Sequence, residues 1–446
     1  MAERRKKAAT PEPIPGIESV TVQGFKSIRD ELTLEFRPLT VLCGANSSGK
    51  TSIMQPLLMM KQTLESPVDP GPLLLRGAHV EFRNLDEFFA RRQNRFHVGL
   101  TVTLLETIFE GEGTYQSRKS RLVATPITLT SYFKRGIKTL ELEGSSWRLP
   151  EGSFHLKPGG TPGEDFQKFL RDSQNILWKM LGPPAVASRE RFYVEAYPVD
   201  LAERVSSPIT KILHLPGLRG VPERAYGLFA VGEVFPGSFA AYTASVLLEW
   251  ISRAKPQAKA AQEDLEALGL TARLGLREID ATQVEVRVGR LLSSGSDDLV
   301  NIADVGIGVS QVLPVVVALH AAEPGTIVYI EQPELHLHPR AQQALAKLLV
   351  AAAKRKVRVV VETHSDLLLL GIQTLVAEGE IDPEDVGLQW FHRDDEGVTR
   401  MERAELQPDG SFGEWPEDFG DTRMDAEVRF IAAYEKRQTS KRRRKP

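Results

Sequence analysis

A single cysteine, Cys43, in 446 residues leaves no partner for an intramolecular bridge, so a disulfide framework is excluded. No apolar run is long enough to cross a bilayer, and the opening MAERRKKAATPEPIPG carries charge without the apolar stretch of a secretion signal. The expectation is a cytoplasmic protein without membrane contact. Sustained heptads are missing too, which excludes long coiled-coil arms and the mechanical reach they give. Aromatics are 7% of the chain, and none follows Tyr434 into the basic end KRQTSKRRRKP, so base stacking by that end is not expected.

What is present points to a large globular chain. Hydrophobic residues make up 41%, enough for two lobes around substantial cores. The net charge of −3 hides an asymmetry: residues 1–7 carry +3 and residues 436–446 carry +7, leaving −13 for the body. The basic end suits either nucleic-acid phosphates or a disordered, solubilising tail.

The most informative stretch is GANSSGKT, Gly44 to Thr51. An apolar run, Leu39 to Leu42, precedes it and reads as a buried strand, while SIMQPLLMMKQTL behind it reads as a helix. Glycine-rich chain between a strand and a helix lets successive backbone N–H groups turn inward around a phosphate chain. Gly44, Asn46, Ser47, Ser48, Gly49 and Ser52 would form that nest around ATP, with Lys50 reaching the β- and γ-phosphates and Thr51 holding Mg2+ by its hydroxyl.

Two later segments complete an ATP site. Gly325 to Ile330 reads as a central parallel strand that ends at Glu331, where a carboxylate can hold Mg2+ through water, and Glu334 is placed to polarise the attacking water. After a helix over Ala341 to Ala353, a second buried strand, Val357 to Val361, runs into ETHSD. His364 at that strand's end can bond the γ-phosphate or the attacking water. His336 and His338 have alternate spacing but no accompanying cysteine or histidine cluster that would make a zinc site.

GANSSGKT, IEQPELHLHP and ETHSD resemble the Walker A, Walker B with D-loop, and switch-histidine motifs of the SMC, RecF and OLD-like ATPases. VQGFKSIRD with LTLEF is similar to their first strand pair, and NIADVGIGVSQVLPVVVAL resembles their divergent signature. The resemblance implies an α/β P-loop fold of ABC-ATPase type, with a mixed central sheet, an antiparallel β layer, flanking helices and a helical or polar insertion. It also implies that Gly306, Gly308 and Ser310 of one subunit face the ATP of another, so that two composite sites form in a homodimer. Glu331 stands where aspartate is usual, and Gln93 is either a candidate Q-loop glutamine or a solvated loop residue. LLLRGAHVEFRNLDEFF, HLPGLRGVPER and DGSFGEWPEDFGDTRMDAE resemble a bacterial subfamily of stand-alone AAA-type ATPases with a C-terminal domain of unknown function.

The expected organisation is a basic arm over 1–16, a first ATPase part over 17–149, and an insertion over 150–207 serving as lid or partner surface. A second ATPase part over 208–435 and a basic tail over 436–446 follow. Helices are expected over Phe239 to Arg253 and Ala258 to Leu268, then a strand in EVRVGRLL. Asp418, Asp421, Asp425 and Glu427 read as a solvated acidic segment rather than a nuclease centre, so any damaging chemistry belongs to another polypeptide. The chain resembles the ATPase subunits of two-component systems such as Septu, and that resemblance implies a Mg2+-dependent ATPase acting as sensor or scaffold in bacterial anti-phage defence and controlling a separate nuclease-like effector. The rivals are a RecF-like ATPase that clamps DNA and a nucleotide-gated assembly protein with negligible turnover.

Overall fold

The structure is a computed structural model; it describes residues 14–68, 71–110, 119–137, 139–150, 152–156, 203–290, 298–412 and 428–434. In chain order, β1 (Gly16–Gln23) and β2 (Leu32–Glu35) pair antiparallel, and β3 (Leu39–Gly44) runs into α1 (Lys50–Leu64). The strands β4 (Arg95–Glu110), β5 (Lys119–Arg135), β6 (Leu140–Leu149) and β7 (Gly152–Leu156) follow. Then come β8 (Leu213–Leu215), β9 (Tyr226–Gly227), α2 (Thr243–Ser252) and α3 (Pro256–Ala267). A small antiparallel group, β10 (Leu274–Glu278), β11 (Gln283–Gly289) and β12 (Leu299–Asn301), leads to α4 (Ile307–Ala321). The chain continues through β13 (Ile327–Glu331), α5 (Pro339–Lys354), β14 (Arg358–Glu362), α6 (Asp366–Ala377), β15 (Val386–Arg393) and β16 (Thr399–Ala404).

The mixed central sheet has the order β16-β15-β3-β14-β13-β8, parallel except for β16 at its edge. Alternation along its strands explains the layering, because successive side chains leave on opposite faces. Leu39, Val41, Cys43, Val328, Ile330, Val359 and Val361 face one core with residues of α2 to α6. Leu42, Ile327, Tyr329 and Val360 face the other, shared with α1 and the antiparallel sheet β2-β1-β4-β5-β6-β7. The expected α/β P-loop architecture is therefore present: a mixed sheet, an antiparallel layer and flanking helices.

Details differ from the sequence expectation in ways that matter for the site. The strand read as Val357 to Val361 is Arg358–Glu362, so Glu362 itself belongs to β14 and pairs in register with Glu331 of β13. The antiparallel sheet continues beyond residue 149 through β7, which pairs with β6. The stretch from Phe239 begins as a 3-10 turn before α2, capped by Ser238. Most of the expected insertion, the acidic Asp418 to Glu427 segment and the basic tail lie outside the described residues, as does most of the basic arm.

Candidate functional site

The P-loop is built from backbone that only certain residues adopt. Gly44 has φ 137°, Ser47 φ 62° and Gly49 φ 109°, all in the region that L side chains disfavour. Neighbouring chain also presses on both glycines: a Cβ on Gly44 would sit 2.0 Å from the carbonyl oxygen of Phe391, and one on Gly49 2.3 Å from Thr399 Oγ1. Lys50 Nζ donates to the carbonyl oxygens of Gly44 at 3.0 Å and Ala45 at 2.8 Å, which folds its side chain along the loop. Burial pushes this ammonium below its ordinary pKa, with Glu362 opposing.

Thr399 clamps the loop from the β15–β16 side. Its hydroxyl lies 2.8 Å from both the Ser48 carbonyl oxygen and Ser27 Oγ. Thr399→Val keeps the shape and leaves a buried carbonyl without that donor, at a cost of about 1–2 kcal/mol. Chemical denaturation is expected to show that loss, and the KM for ATP to rise about fivefold, as a loss of about 1 kcal/mol in binding gives.

Register and alternation bring two carboxylates, Glu362 and Glu331, together on the α1 face. Thr51 Oγ1 donates to Glu362, 2.8 and 3.0 Å from its two carboxylate oxygens, and Tyr329 Oη donates to Glu362 Oε2 at 3.1 Å. Burial raises the Glu362 pKa, the Thr51 bond opposes, and neighbouring Glu331 adds to the rise. Glu331, the strand-end carboxylate expected at the metal, is held from its other side: its Oε1 lies 3.1 Å from His214 Nε2 and its Oε2 accepts the Gly217 N–H at 3.1 Å. Although burial works upward on Glu331, those bonds hold it below the usual carboxylate range.

Glu334 and His364 meet. Glu334 Oε1 accepts the His364 backbone N–H at 2.9 Å, and burial pushes the Glu334 carboxyl up. Burial and the Lys50 charge push His364 down, against a bond to the Gly44 backbone that raises it. Arg219, from the HLPGLRGVPER stretch, donates to the carbonyl oxygens of Glu331 at 2.7 Å and Gln332 at 3.3 Å; burial pushes it down to about 10.

A cavity of about 990 Å³ opens over the P-loop, lined by Ser47 to Ser52, Glu362 and a rim containing Lys26, Arg29, Arg91, Arg92 and Arg393. Lys26 Nζ is 2.8 Å from Gln55 Oε1 and 5.3 Å from the Phe82 ring centroid, and Arg29 pairs with Glu396 at 2.7 Å. The rim cations outnumber the rim carboxylates Asp86, Glu87 and Glu396, and such a cavity above a glycine-containing loop fits a triphosphate. Oxygen donors at Thr51 and Glu362 with Glu331 alongside fit a hard divalent cation.

Other residues singled out by sequence lie apart from this cavity. Gly306 is the N-cap of α4, Gly308 packs near the His336 carbonyl oxygen, and Ser310 Oγ donates to Ile307 O at 2.8 Å. None of the three lines the P-loop cavity, whereas Ser310 lines a second one with Arg219 and Tyr226. Gln93 Nε2 reaches the Arg29 carbonyl oxygen at 3.4 Å and lines a different hollow with His97 and Tyr132. His338 caps α5, its Nδ1 accepting the Arg340 N–H at 3.3 Å. Cys43 is fully buried and its thiol is pushed well up by burial, so it offers no ready alkylation site. Sequence reading missed Glu362, Tyr329, His214 and Arg219; the strand register that carries Glu362 into β14 is the signal that identifies the first.

Residues 16–135 match the family described as "AAA ATPase domain", and residues 170–370 match "AAA domain, putative AbiEii toxin, Type IV TA system". The chromosome partition protein Smc of Mycolicibacterium paratuberculosis is 28% identical over 145 residues, and that of Mycobacterium leprae 30% over 146. Each match takes in 32% of this chain and 11% of the relative's length. Among solved structures, an SmcHead bound to the C-winged helix domain of ScpA aligns with 13% identity and a TM-score of 0.46, covering 88% of this chain and 98% of that one. The SMC head domain from Thermotoga maritima gives 12% and 0.41, covering 88% and 100%. Over residues 16–135 and 170–370 the chain is similar to AAA-family ATPase domains.

Proposed function

We propose that the chain is a Mg2+-dependent ATP hydrolase of ABC type that works as a homodimer. The observation that carries this is the meeting of Lys50, Thr51 and Glu362 at the ends of α1 and β14, with Glu334 and His364 joined beside them. Lys50 engages the β- and γ-phosphates, and the rim cations hold the rest of the triphosphate. Thr51 and Glu362, with Glu331 alongside, are the residues that would hold Mg2+, which would offset the negative charge of the phosphates there. Glu334 takes the proton of the attacking water, and neutral His364 orients that water or the γ-phosphate.

The exposed start of α4 supports a composite site. Gly306 and Ile307 are exposed and lie outside the P-loop cavity, so that helix end is open to another copy's γ-phosphate. Glu334→Gln with Mg-ATP is expected to run at twice the monomer mass. Adding Ser310→Arg should abolish both that doubling and turnover while each copy still binds ATP. A wild-type protein that turns over ATP as a strict monomer contradicts the composite site.

In the cell, the reading is a sensor or scaffold ATPase of bacterial anti-phage defence that controls a separate, nuclease-like effector. The AbiEii-type description over residues 170–370 supports it, together with the motif stretches quoted above. The Smc relatives favour a second reading, a clamp on DNA. Capture of partners on the Glu334→Gln protein separates the two. A nuclease-like protein supports defence, whereas DNA alone, held in a salt-sensitive, ATP-dependent way without residues 436–446, supports the clamp.

A further inference from the structure

A chain of buried polar groups crosses the protein from the last turn of α1 to the end of β13. Lys61, fully buried, places Nζ 2.5 Å from Glu65 Oε1 and donates to the Thr210 carbonyl oxygen at 2.7 Å. Glu65 Oε2 accepts the Gly237 N–H at 3.1 Å and lies 3.3 Å from His79 Nε2. His79 Nδ1 is 2.9 Å from His214 Nδ1, and His214 Nε2 is 3.1 Å from Glu331 Oε1. His214 sits between Leu213 and Leu215 on β8, so alternation turns it to the α1 face, where its ring stacks on Tyr329 at 5.3 Å and 10°. Withdrawing so many ionisable groups from water is costly, and their mutual contacts offset part of that cost.

The same helix fixes both ends of this chain. Gln62 of α1 accepts the backbone N–H groups of His79 at 3.2 Å and Val80 at 3.0 Å, and donates to the carbonyl oxygens of Leu74 at 2.6 Å and Val80 at 3.2 Å. Thr51, in the first turn of α1, donates to Glu362, the register partner of Glu331. The direction of the Glu331 carboxylate is thus set against the helix that holds the phosphates. A contact between two Nδ1 atoms needs the hydrogen on one and a bare lone pair on the other, so the tautomer of one ring fixes that of the other.

We infer that His79 and His214 are positioning residues of the ATPase site: the linked rings hold the Glu331 carboxylate beside Glu362 and tie its orientation to α1. The role rests on the hydrolysis reading. His214 acts by direct contact with Glu331, and His79 acts only through His214.

Full-length His214→Leu, His214→Gln, His79→Leu and His79→Asn test it by steady-state kinetics. His214→Gln keeps a polar group near the Nε2 position and His79→Asn near the Nδ1 position. Each leucine variant is expected to lower kcat about 10- to 100-fold, as loss of a partner that orients a ligand does, and to raise the free Mg2+ needed for half-maximal rate. The KM for ATP should change less than about threefold, since the phosphate contacts remain. The polar variants should recover most of kcat. Leucine variants equal to wild type, a KM that rises in step with the loss of kcat, or polar variants as poor as leucine would overturn the role.

Histidine 15N spectra of the wild-type protein decide the geometry even where a leucine variant does not fold. A coupling across the Nδ1–Nδ1 hydrogen bond, abolished in both His79→Asn and His214→Gln, supports the linked pair; no coupling in the wild type overturns it. Wild-type protein without ATP turnover defeats the hydrolysis reading instead, and the spectra still show whether the linked pair exists.

Discussion

Glu362→Gln is expected to fold, bind ATP and turn it over about 10²- to 10³-fold more slowly, the range for losing one group that acts on transition-state charge. Its carboxylate is the one that meets the Thr51 hydroxyl, at 2.8 and 3.0 Å, and Tyr329 steadies it from the side. An amide keeps the volume and one acceptor oxygen but removes the charge that a divalent cation requires. The free Mg2+ for half-maximal rate should therefore rise in Glu362→Gln, while its ATP affinity, measured without metal, stays near wild type. Should Glu331→Gln alone show that Mg2+ effect, with Glu362→Gln behaving as wild type, the metal role reverts to the carboxylate that strand-end reasoning selects.

Those two glutamates mark where sequence reading succeeds and where it stops. The P-loop was legible because two physical demands leave a local trace: an apolar run for a strand buried on both faces, then glycines where φ is 137° and 109°. The strand ending at Glu331 was equally plain, since Ile327 to Ile330 form an apolar run that stops at the carboxylate. Glu362 was missed by one residue of strand length, because the apolar pattern of Val357 to Val361 stops short of a polar residue that β pairing nonetheless includes. His214 left no trace at all. Its strand has three residues, too few for periodicity, and it meets Glu331, 117 residues further on, only because β8 docks at the end of the sheet. Pairings of that kind are long-range consequences of topology, and no window of the sequence contains both partners.

The second large effect belongs to Glu334→Gln, for which turnover should fall about 10²- to 10⁴-fold with ATP binding retained, as expected when a general base is neutralised. Position and environment both argue for the role. Glu334 follows β13 in the loop before α5, its Oε1 is held by the His364 N–H at 2.9 Å, and it is 8% exposed. Burial raises its pKa above the ordinary carboxylate value, which makes it a stronger proton acceptor when ionised. The sign of the pH dependence follows. As pH falls through that raised pKa the carboxyl gains a proton and can no longer accept one from water, so kcat should drop on the acid side at a higher pH than for an exposed glutamate. In Glu334→Gln that acid limb should vanish along with the rate, because the amide has no proton to gain. The retained ATP should also hold the proposed dimer together, since nothing discharges it. A Glu334→Gln protein that hydrolyses ATP at the wild-type rate, with the acid limb intact, would place the base elsewhere; equal and negligible turnover in both would favour a nucleotide-gated assembly protein over an enzyme.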